Sequence, residues 1–151
     1  MLLEYLKHCC CGENIFKLLL DYAVMDEDIV EVYEKGEDIL VLTKRLAGFS
    51  FDTLKKTDHF YYSIDEKGTD INFLKENFAK IEKVKLVNKR KHKNGEVSYD
   101  FYYELEDRTY LVYAISFEGE TPVLLNGFKV DRNFSQFKKH LLKAYKKQLI
   151  G

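Results

Sequence analysis

Four strand-like segments follow one another between residues 84 and 130, and they constrain the fold more than any other part of the chain. The segments are VKLVNKR, VSYDFYYEL, TYLVYAISF and VLLNGFKV, and the short polar breaks HKNG, EDR and EGET separate them. Breaks of this length join antiparallel neighbours, because parallel strands need a long crossover connection. The pattern therefore predicts a four-stranded antiparallel meander.

The third segment, from Tyr110 to Phe117, is apolar or aromatic at nearly every position. A strand with water on one face alternates apolar and polar residues, so this segment is predicted to be central and covered on both faces. In the preceding segment, alternation assigns one group of residues to the core and the other to a face that is partly exposed to solvent. The first group is Tyr99, Phe101, Tyr103 and Leu105, and the second is Asp100, Tyr102 and Glu104.

The dipeptide Asn94-Gly95 is the clearest turn signal in the chain. It lies between the first two segments of the meander. Both residue types tolerate the positive φ angles of a type I′ turn. We therefore predict a tight hairpin whose turn sets the register of the two strands.

Helices are predicted at both ends of the chain and at its centre. Residues 2–10 and 14–25 have helical periodicity, and Asn14 is placed to cap the second of these segments. Residues 71–82 carry an apolar stripe that follows a capping residue, Asp70. The C-terminal segment from Asn133 combines capping-box spacing with another apolar stripe, which predicts an amphipathic helix.

Two further segments have strand-like composition. The runs DIVEVYE and ILVLTKR flank KGED in residues 28–45, which predicts a β-hairpin, with one helix through Gly36 as the alternative. His59 to Ile64 reads as another short strand. Together these elements predict an α+β fold. The length of 151 residues, without a linker or repeat, predicts a single globular domain.

Composition and charge favour a protein of the cytosol. The three cysteines are adjacent, Cys9 to Cys11, so they do not form the spaced framework of a disulfide-rich secreted domain. The N-terminus lacks the pattern of a signal peptide, and no apolar run has the length of a membrane span. The net charge of −1 hides an asymmetry, because residues 1–40 hold ten acidic and three basic side chains. Apposition of the two oppositely charged regions explains this asymmetry best.

Two clusters of basic residues raise the alternative of nucleic-acid binding. One lies in residues 83–93 and the other on the C-terminal helix, and the aromatic Tyr102 adds a ring for base stacking. The predicted nucleic-acid contacts are Lys89, Arg90, Lys91, His92, Lys93, Tyr102, Arg108, Lys139 and Lys143. Solvated lysines that keep the protein soluble are the competing explanation.

No recognised catalytic, metal or cofactor motif is present in the sequence. His8 beside the three cysteines has suitable ligand types, but adjacent cysteines diverge from the backbone and no second cluster completes a site. No serine lies in a GxSxG context, and the glycines form no phosphate-binding loop. His59, His92 and His140 each have the chemistry of a general base. We therefore predict neither a metal nor a cofactor, and no catalytic residue.

The order of helix, four-stranded meander and basic terminal helix resembles that of small ribonuclease toxins of the RelE type. In this resemblance TYLVYAISFEGETPVLLNGFK corresponds to their last hairpin. It implies phosphate-stabilising and proton-transferring roles for basic residues, namely Lys89, Arg90, His92, Arg108 and His140. The order of helices followed by a sheet is also similar to nuclear transport factor 2-like and cystatin-like domains, which implies a ligand-holding cone.

The function expected from the sequence is that of a non-catalytic cytosolic protein-interaction or regulatory module. Its basis is an aromatic-rich sheet without recognisable chemistry, because exposed aromatic and Arg side chains carry much of the binding energy of interfaces. A protein partner or a second copy of the chain is the expected partner. The alternatives are an RNA-binding protein or RelE-like ribonuclease, which would use residues 83–93 and the C-terminal helix, and a ligand-binding cone.

Overall fold

The computed structural model of the protein describes residues 28–34, 36–106 and 108–150. In these residues four α-helices accompany a six-stranded sheet, which confirms the α+β class. The strands are β1 (Asp28–Tyr33), β2 (Lys55–Lys56), β3 (Val84–Lys91), β4 (Val97–Glu104), β5 (Tyr110–Ser116) and β6 (Val123–Val130). The helices are α1 (Gly36–Lys44), α2 (Asp58–Lys67), α3 (Ile71–Phe78) and α4 (Phe134–Ile150). The predicted helices at 2–10 and 14–25 lie outside the described residues.

The meander forms the centre of the sheet, as predicted. The strand order is β1-β3-β4-β5-β6-β2, and neighbouring strands from β1 to β6 are antiparallel. The two-residue strand β2 pairs in parallel with β6 at the edge. β5 therefore has a strand on each side, and its sequence is almost continuously apolar because its side chains enter the cores on both faces of the sheet.

The predicted hairpin between β3 and β4 is present, but its turn is not of type I′. Gly95 has a φ of 90°, whereas Asn94 does not have a positive φ. The amide of Gly95 donates to the carbonyl of His92 at 2.9 Å, and the amide of His92 donates to the carbonyl of Glu96 at 2.8 Å. This is the pattern of a three-residue loop with glycine in the left-handed position. The turn sets the register that pairs Arg90 with Ser98 and Asn88 with Asp100.

Both faces of the sheet are packed against helices. On the three-helix face, which carries Val87, Phe101 and Tyr113, the core is completed by residues of α1, α2 and α3. The hydroxyl of Tyr113 donates to the carbonyl of Leu74 in α3 at 2.6 Å. On the α4 face, Leu86, Tyr102, Tyr110, Val112 and Val130 pack with Phe134, Phe137 and Leu141. Because successive residues of a strand point to opposite faces, β4 and β5 contribute side chains to both cores.

The predicted hairpin in residues 28–45 is wrong in its second half. β1 forms at the edge of the sheet beside β3, but ILVLTK belongs to the helix α1. In this helix Ile39 and Leu42 recur at helical spacing, and with Leu46 in the turn that follows they are buried in the core of the three-helix face. That periodicity outweighs the strand preference of the branched residues. α1 corresponds to the C-terminal part of the alternative, which was one helix through Gly36.

The segment His59 to Ile64 is also helical, and the predicted strand is wrong. The hydroxyl of Thr57 caps α2 by accepting from the amide of Phe60 at 3.1 Å. Phe60 and Ser63 are buried one turn apart, whereas Tyr62 is exposed. The aromatic residues suggested a strand, but their burial follows the helical period.

α2 ends at Gly68, whose φ of 64° lies in the left-handed region. We expect Gly68→Ala to lower the free energy of unfolding by about 1 kcal/mol, because a side chain is unfavourable in this conformation. Gly48→Ala is the control, since neither a left-handed φ nor a neighbouring atom within 4 Å opposes a side chain there. It should leave stability unchanged or raise it slightly. Urea denaturation measures both, and equal effects of the two changes would contradict the argument.

The other two predicted helices in the described residues are confirmed. α3 ends at Phe78, and a short 3-10 turn, Ile81–Lys83, continues to β3. Asp70 caps α3 by accepting from the amide of Asn72 at 2.9 Å. α4 begins after Asn133, which accepts from the amide of Gln136. None of the helices in the described part of the chain is long and apolar enough to cross a membrane.

Candidate functional site

The α4 face of the sheet is covered at one end and concave at the other. α4 packs over the end that carries Tyr110 and Val130, and its Phe137 forms one wall of a cavity of about 350 Å³. The floor continues along β5 to Val112 and Ala114. The cavity is further lined by His59, Arg90, His92, Ser98, Asp100, Tyr102, Leu125, Asn126 and Phe128. Apolar and polar residues thus meet in one concave site.

A buried polar network forms one wall of the cavity. Arg90 Nε donates to Asp100 Oδ2 at 2.9 Å, and the exposed fractions of these two side chains are 13% and 9%. The same carboxylate oxygen accepts from Asn88 Nδ2 at 3.0 Å. The hydroxyl of Tyr102 donates to Asn88 Oδ1 at 2.6 Å. The network holds the guanidinium of Arg90 in one orientation, because its partner is itself anchored.

The position of Tyr102 differs from the prediction. Tyr102 and Asp100 were assigned to a face that is partly exposed to solvent, but both are buried. Burial and, second, the charge of Asp100 raise the pKa of Tyr102 well above its usual value, although Arg90 opposes this shift. The phenol therefore stays protonated and serves as a donor to Asn88. The ring packs against Phe137 of α4, with 5.0 Å between centroids.

Two histidines approach the cavity from different elements. His92 follows β3, and its Nε2 lies 2.8 Å from the hydroxyl oxygen of Ser98 on β4. This hydrogen bond orients the imidazole. His59 lies in the first turn of α2, beyond the opposite edge of the meander, and is exposed at the rim. The fold therefore brings together residues separated by more than thirty positions in the sequence.

The structure divides the predicted nucleic-acid contacts among several surfaces. Arg90, His92 and Tyr102 line the cavity, whereas Lys89 and Lys91 alternate with them along β3. Lys93 belongs to the turn after β3, and Lys139 and Lys143 are exposed on α4. Arg108, with a φ of 60°, lies in the turn after β4, at the far end of an eight-residue strand from the hairpin. That strand spans about 25 Å, so Arg108 is far from His92, and it is not among the residues that line the cavity.

Five polar residues of the site were not among the predicted nucleic-acid contacts: His59, Asn88, Ser98, Asp100 and Asn126. A signal for three of them is present in the sequence. Once Asn94-Gly95 is accepted as a hairpin turn, alternation puts Asn88, Arg90 and His92 on the same face as Ser98 and Asp100. An accumulation of polar residues on one face of a central strand pair marks a site. Asn126 and His59 offer no such signal, because a separate helix brings His59 to the cavity.

A second concave surface lies between the end of α2 and the start of α3. It is about 380 Å³ in volume and includes Lys67, Asp70, Phe73 and Lys129. Burial lowers the pKa of Lys67, whose ammonium lies 4.5 Å from the centre of the Phe128 ring. Lys129 pairs with the exposed Asp131. Nothing in this arrangement gathers groups of complementary chemistry as the cavity on the α4 face does.

Metal ligands are not clustered in the part of the chain that the structure describes, where no three His, Cys, Asp or Glu residues are grouped to hold an ion. His8 and Cys9 to Cys11 lie outside the described residues.

Comparison of the chain with protein families, with curated proteins and with solved structures finds no match. The chemistry of the cavity therefore has to be inferred from its own residues. The resemblances to RelE-type toxins and to ligand-binding cones stay predictions.

Proposed function

We propose that the protein is a binding domain that holds a small molecule in the cavity on the α4 face. The observation that carries this proposal is the combination of an apolar floor with a rigid polar wall in one concave site. Small-molecule sites commonly have volumes of about 300–1,000 Å³, with mostly apolar walls and a few placed polar groups. The cavity of about 350 Å³ lies at the small end of that range.

The residues of the cavity favour a flat ligand with a polar edge. Val112, Ala114 and Phe128 offer apolar surface to the body of such a molecule. Asn126 and the histidines supply hydrogen-bonding groups around it. Arg90 and Asp100 place one charge of each sign in the wall, which favours a ligand with polar groups over a wholly apolar one.

Binding of a protein partner, or of a second copy of the chain, stays a prediction. It would use a surface other than the cavity. The aromatic side chains of the central sheet, among them Phe101, Tyr103 and Tyr113, are buried and serve the core. Among the residues that the structure describes, the large apolar side chains that are more than half exposed lie on α1 and α2, and they are Leu40, Val41, Tyr61 and Tyr62. A cytosolic location belongs to the proposal as well, because the adjacent cysteines do not suit a disulfide framework.

A substitution that fills the cavity tests the proposal, and the binding of 1-anilinonaphthalene-8-sulfonate, a fluorescent probe, is what is measured. At about 0.3 kcal/mol per non-hydrogen atom, this molecule should bind with a Kd of tens of micromolar. We expect one site per chain for the wild type and at least about tenfold weaker binding for Ala114→Phe, because the ring would occupy the floor. Fluorescence titration gives both the affinity and the stoichiometry.

Ala79→Phe is the matched control, since it adds the same ring at an exposed position after α3, away from the cavity. It should bind the probe like the wild type. If Ala114→Phe binds the probe as tightly as the control does, the cavity is not the binding site and the proposal is wrong.

A further inference from the structure

From the same cavity we infer an activity: cleavage of single-stranded RNA by transesterification, with His59 and His92 as the proton-transfer pair and Arg90 as the stabilising cation. The inference rests on the proposed function, because it needs the cavity to accept part of the substrate. It goes beyond that function by naming a substrate class and a reaction.

The two histidines flank the space in which a phosphodiester would lie. The imidazole of His92 is held at Ser98 on β4, and His59 enters the same cavity from the first turn of α2, which packs against β6. β4 and β6 are separated by two strand spacings, or about 10 Å between backbones. Side chains that reach inward from the two sides of this span are positioned to contact opposite sides of one phosphate. Reactions that need a base and an acid at once require this kind of arrangement.

Arg90 supplies a cation of defined orientation at the same place. Its Nε bond to Asp100, together with the bonds from Asn88 to Asp100 and from Tyr102 to Asn88, orients the guanidinium before any ligand arrives. A preoriented cation stabilises developing negative charge more strongly than a mobile surface cation, because it needs no reorganisation during the reaction. The pentacoordinate phosphorane formed during phosphoryl transfer develops such a charge.

The nucleophile would come from the substrate. Ser98 is 2% exposed and hydrogen-bonded to His92, so its hydroxyl is poorly placed to attack a bound molecule. RNA carries its own nucleophile, the 2′-hydroxyl next to each phosphodiester. One histidine removes the proton of the 2′-hydroxyl as its oxygen bonds to phosphorus. The other gives a proton to the 5′-oxygen as the bond from phosphorus to that oxygen breaks, which leaves a 2′,3′-cyclic phosphate and a 5′-hydroxyl.

The surroundings of the histidines also fit a nucleotide. The ring of Phe128 and the side chain of Val112 offer apolar surface to a base, and the amide of Asn126 can both donate to and accept from a base edge. Lys93 lies exposed in the turn next to His92. Its charge would attract a flanking phosphate in a salt-dependent manner.

Cleavage of a defined oligonucleotide tests the inference. The substrate is a labelled single strand of DNA with one ribonucleotide, incubated with EDTA, and the products are identified by mass spectrometry. We expect cleavage on the 3′ side of the ribonucleotide, a cyclic phosphate on the 5′ fragment, and no cleavage of the all-DNA strand. The rate should have a bell-shaped pH dependence with one base and one acid.

Substitution of the histidines assigns their roles. His59→Asn and His92→Asn should each slow cleavage by about 10²–10⁴-fold, the usual effect of losing a general acid or base. His59 is exposed, so its replacement should leave the fold intact. Ala79→Phe, purified in parallel, is the control for contaminating nucleases, because Ala79 is exposed after α3 and does not line the cavity. It should cleave like the wild type.

Each outcome separates this activity from binding. Cleavage that survives both His59→Asn and His92→Asn, or that does not require the ribose, would overturn the inference. If the wild type binds the fluorescent probe in the cavity but does not cleave the ribonucleotide-containing strand, the activity is wrong and the proposed binding function stands. If the cavity binds neither the probe nor the strand, both proposals are wrong.

Discussion

Asp100→Ala should lower the free energy of unfolding by about 3–5 kcal/mol. The carboxylate of Asp100 accepts from both Arg90 and Asn88 in a buried wall of the cavity. Its removal would take this carboxylate away from the guanidinium of Arg90, whose side chain is only 13% exposed. A buried charge that loses its partner costs far more than the pair contributes when it is intact. Chemical denaturation monitored by circular dichroism measures the effect.

A double substitution distinguishes this explanation from a general loss of packing. Arg90→Met combined with Asp100→Leu removes both charges and keeps apolar volume in their place. We expect the double variant to be more stable than Asp100→Ala alone. If the double variant is the less stable of the two, an unpaired charge is not the cause of the loss.

Phe60→Ala should lower the free energy of unfolding by about 3–5 kcal/mol, the usual cost of removing a buried aromatic ring. Phe60 is fully buried in the core of the three-helix face and makes edge contacts with the ring of Phe51. The cavity left behind would adjoin Gly127, where a hypothetical Cβ would lie 3.3 Å from the Phe60 ring. The backbone of Gly127 therefore packs directly against the Phe60 ring. Neighbouring atoms could fill the space left by the ring only if this backbone moved. Thermal and urea denaturation both report the change.

Tyr62→Ala is the matched control and also tests the helical assignment of α2. In a strand Phe60 and Tyr62 would share one face, but in the helix they point in different directions, and Tyr62 is 65% exposed. We expect Tyr62→Ala to change stability by no more than about 0.5 kcal/mol. Comparable losses from the two substitutions would contradict a helix in this segment.

Elements whose local pattern and tertiary environment agree were predictable. The alternation in residues 84–130 and the turn at Asn94-Gly95 gave the four-stranded meander, and capping residues with an apolar stripe predicted α3 and α4. The nearly continuous apolar run from Tyr110 correctly indicated a central strand covered on both faces. In each case one periodicity describes the segment and no competing preference opposes it.

The segments around Ile39 and Phe60 were assigned wrongly because composition and periodicity disagree there. Both are rich in branched or aromatic residues that favour strands in isolation. Their buried positions recur at helical spacing, and the core of the three-helix face selects that arrangement. Burial of the apolar side chains along one side of a helix stabilises the fold by several kcal/mol. The strand propensities of different residue types differ by only about 1 kcal/mol.

The candidate site was only partly visible in the sequence. Arg90 and His92 were singled out for their charge, but the same argument selected Arg108 and the lysines of α4, which the fold directs elsewhere. Charge identifies groups that can contact phosphate, but it does not tell which of them converge. Convergence depends on the strand pairing that brings Asp100 beside Arg90 and on the helix that carries His59 to the rim.

The linear chain contains enough information for the meander, the covering helices and the turn between β3 and β4, because these depend on contacts between near neighbours and on a repeated pattern of burial. It does not contain, in any local form, the environment of Tyr102, the pairing of β1 with β3 or the proximity of His59 to Asn126. These features depend on side chains that are distant in sequence and meet only when α4 covers one end of the sheet and α2 packs beside β6. The ends of the strands that α4 leaves uncovered form the cavity, so the site is a property of the packing.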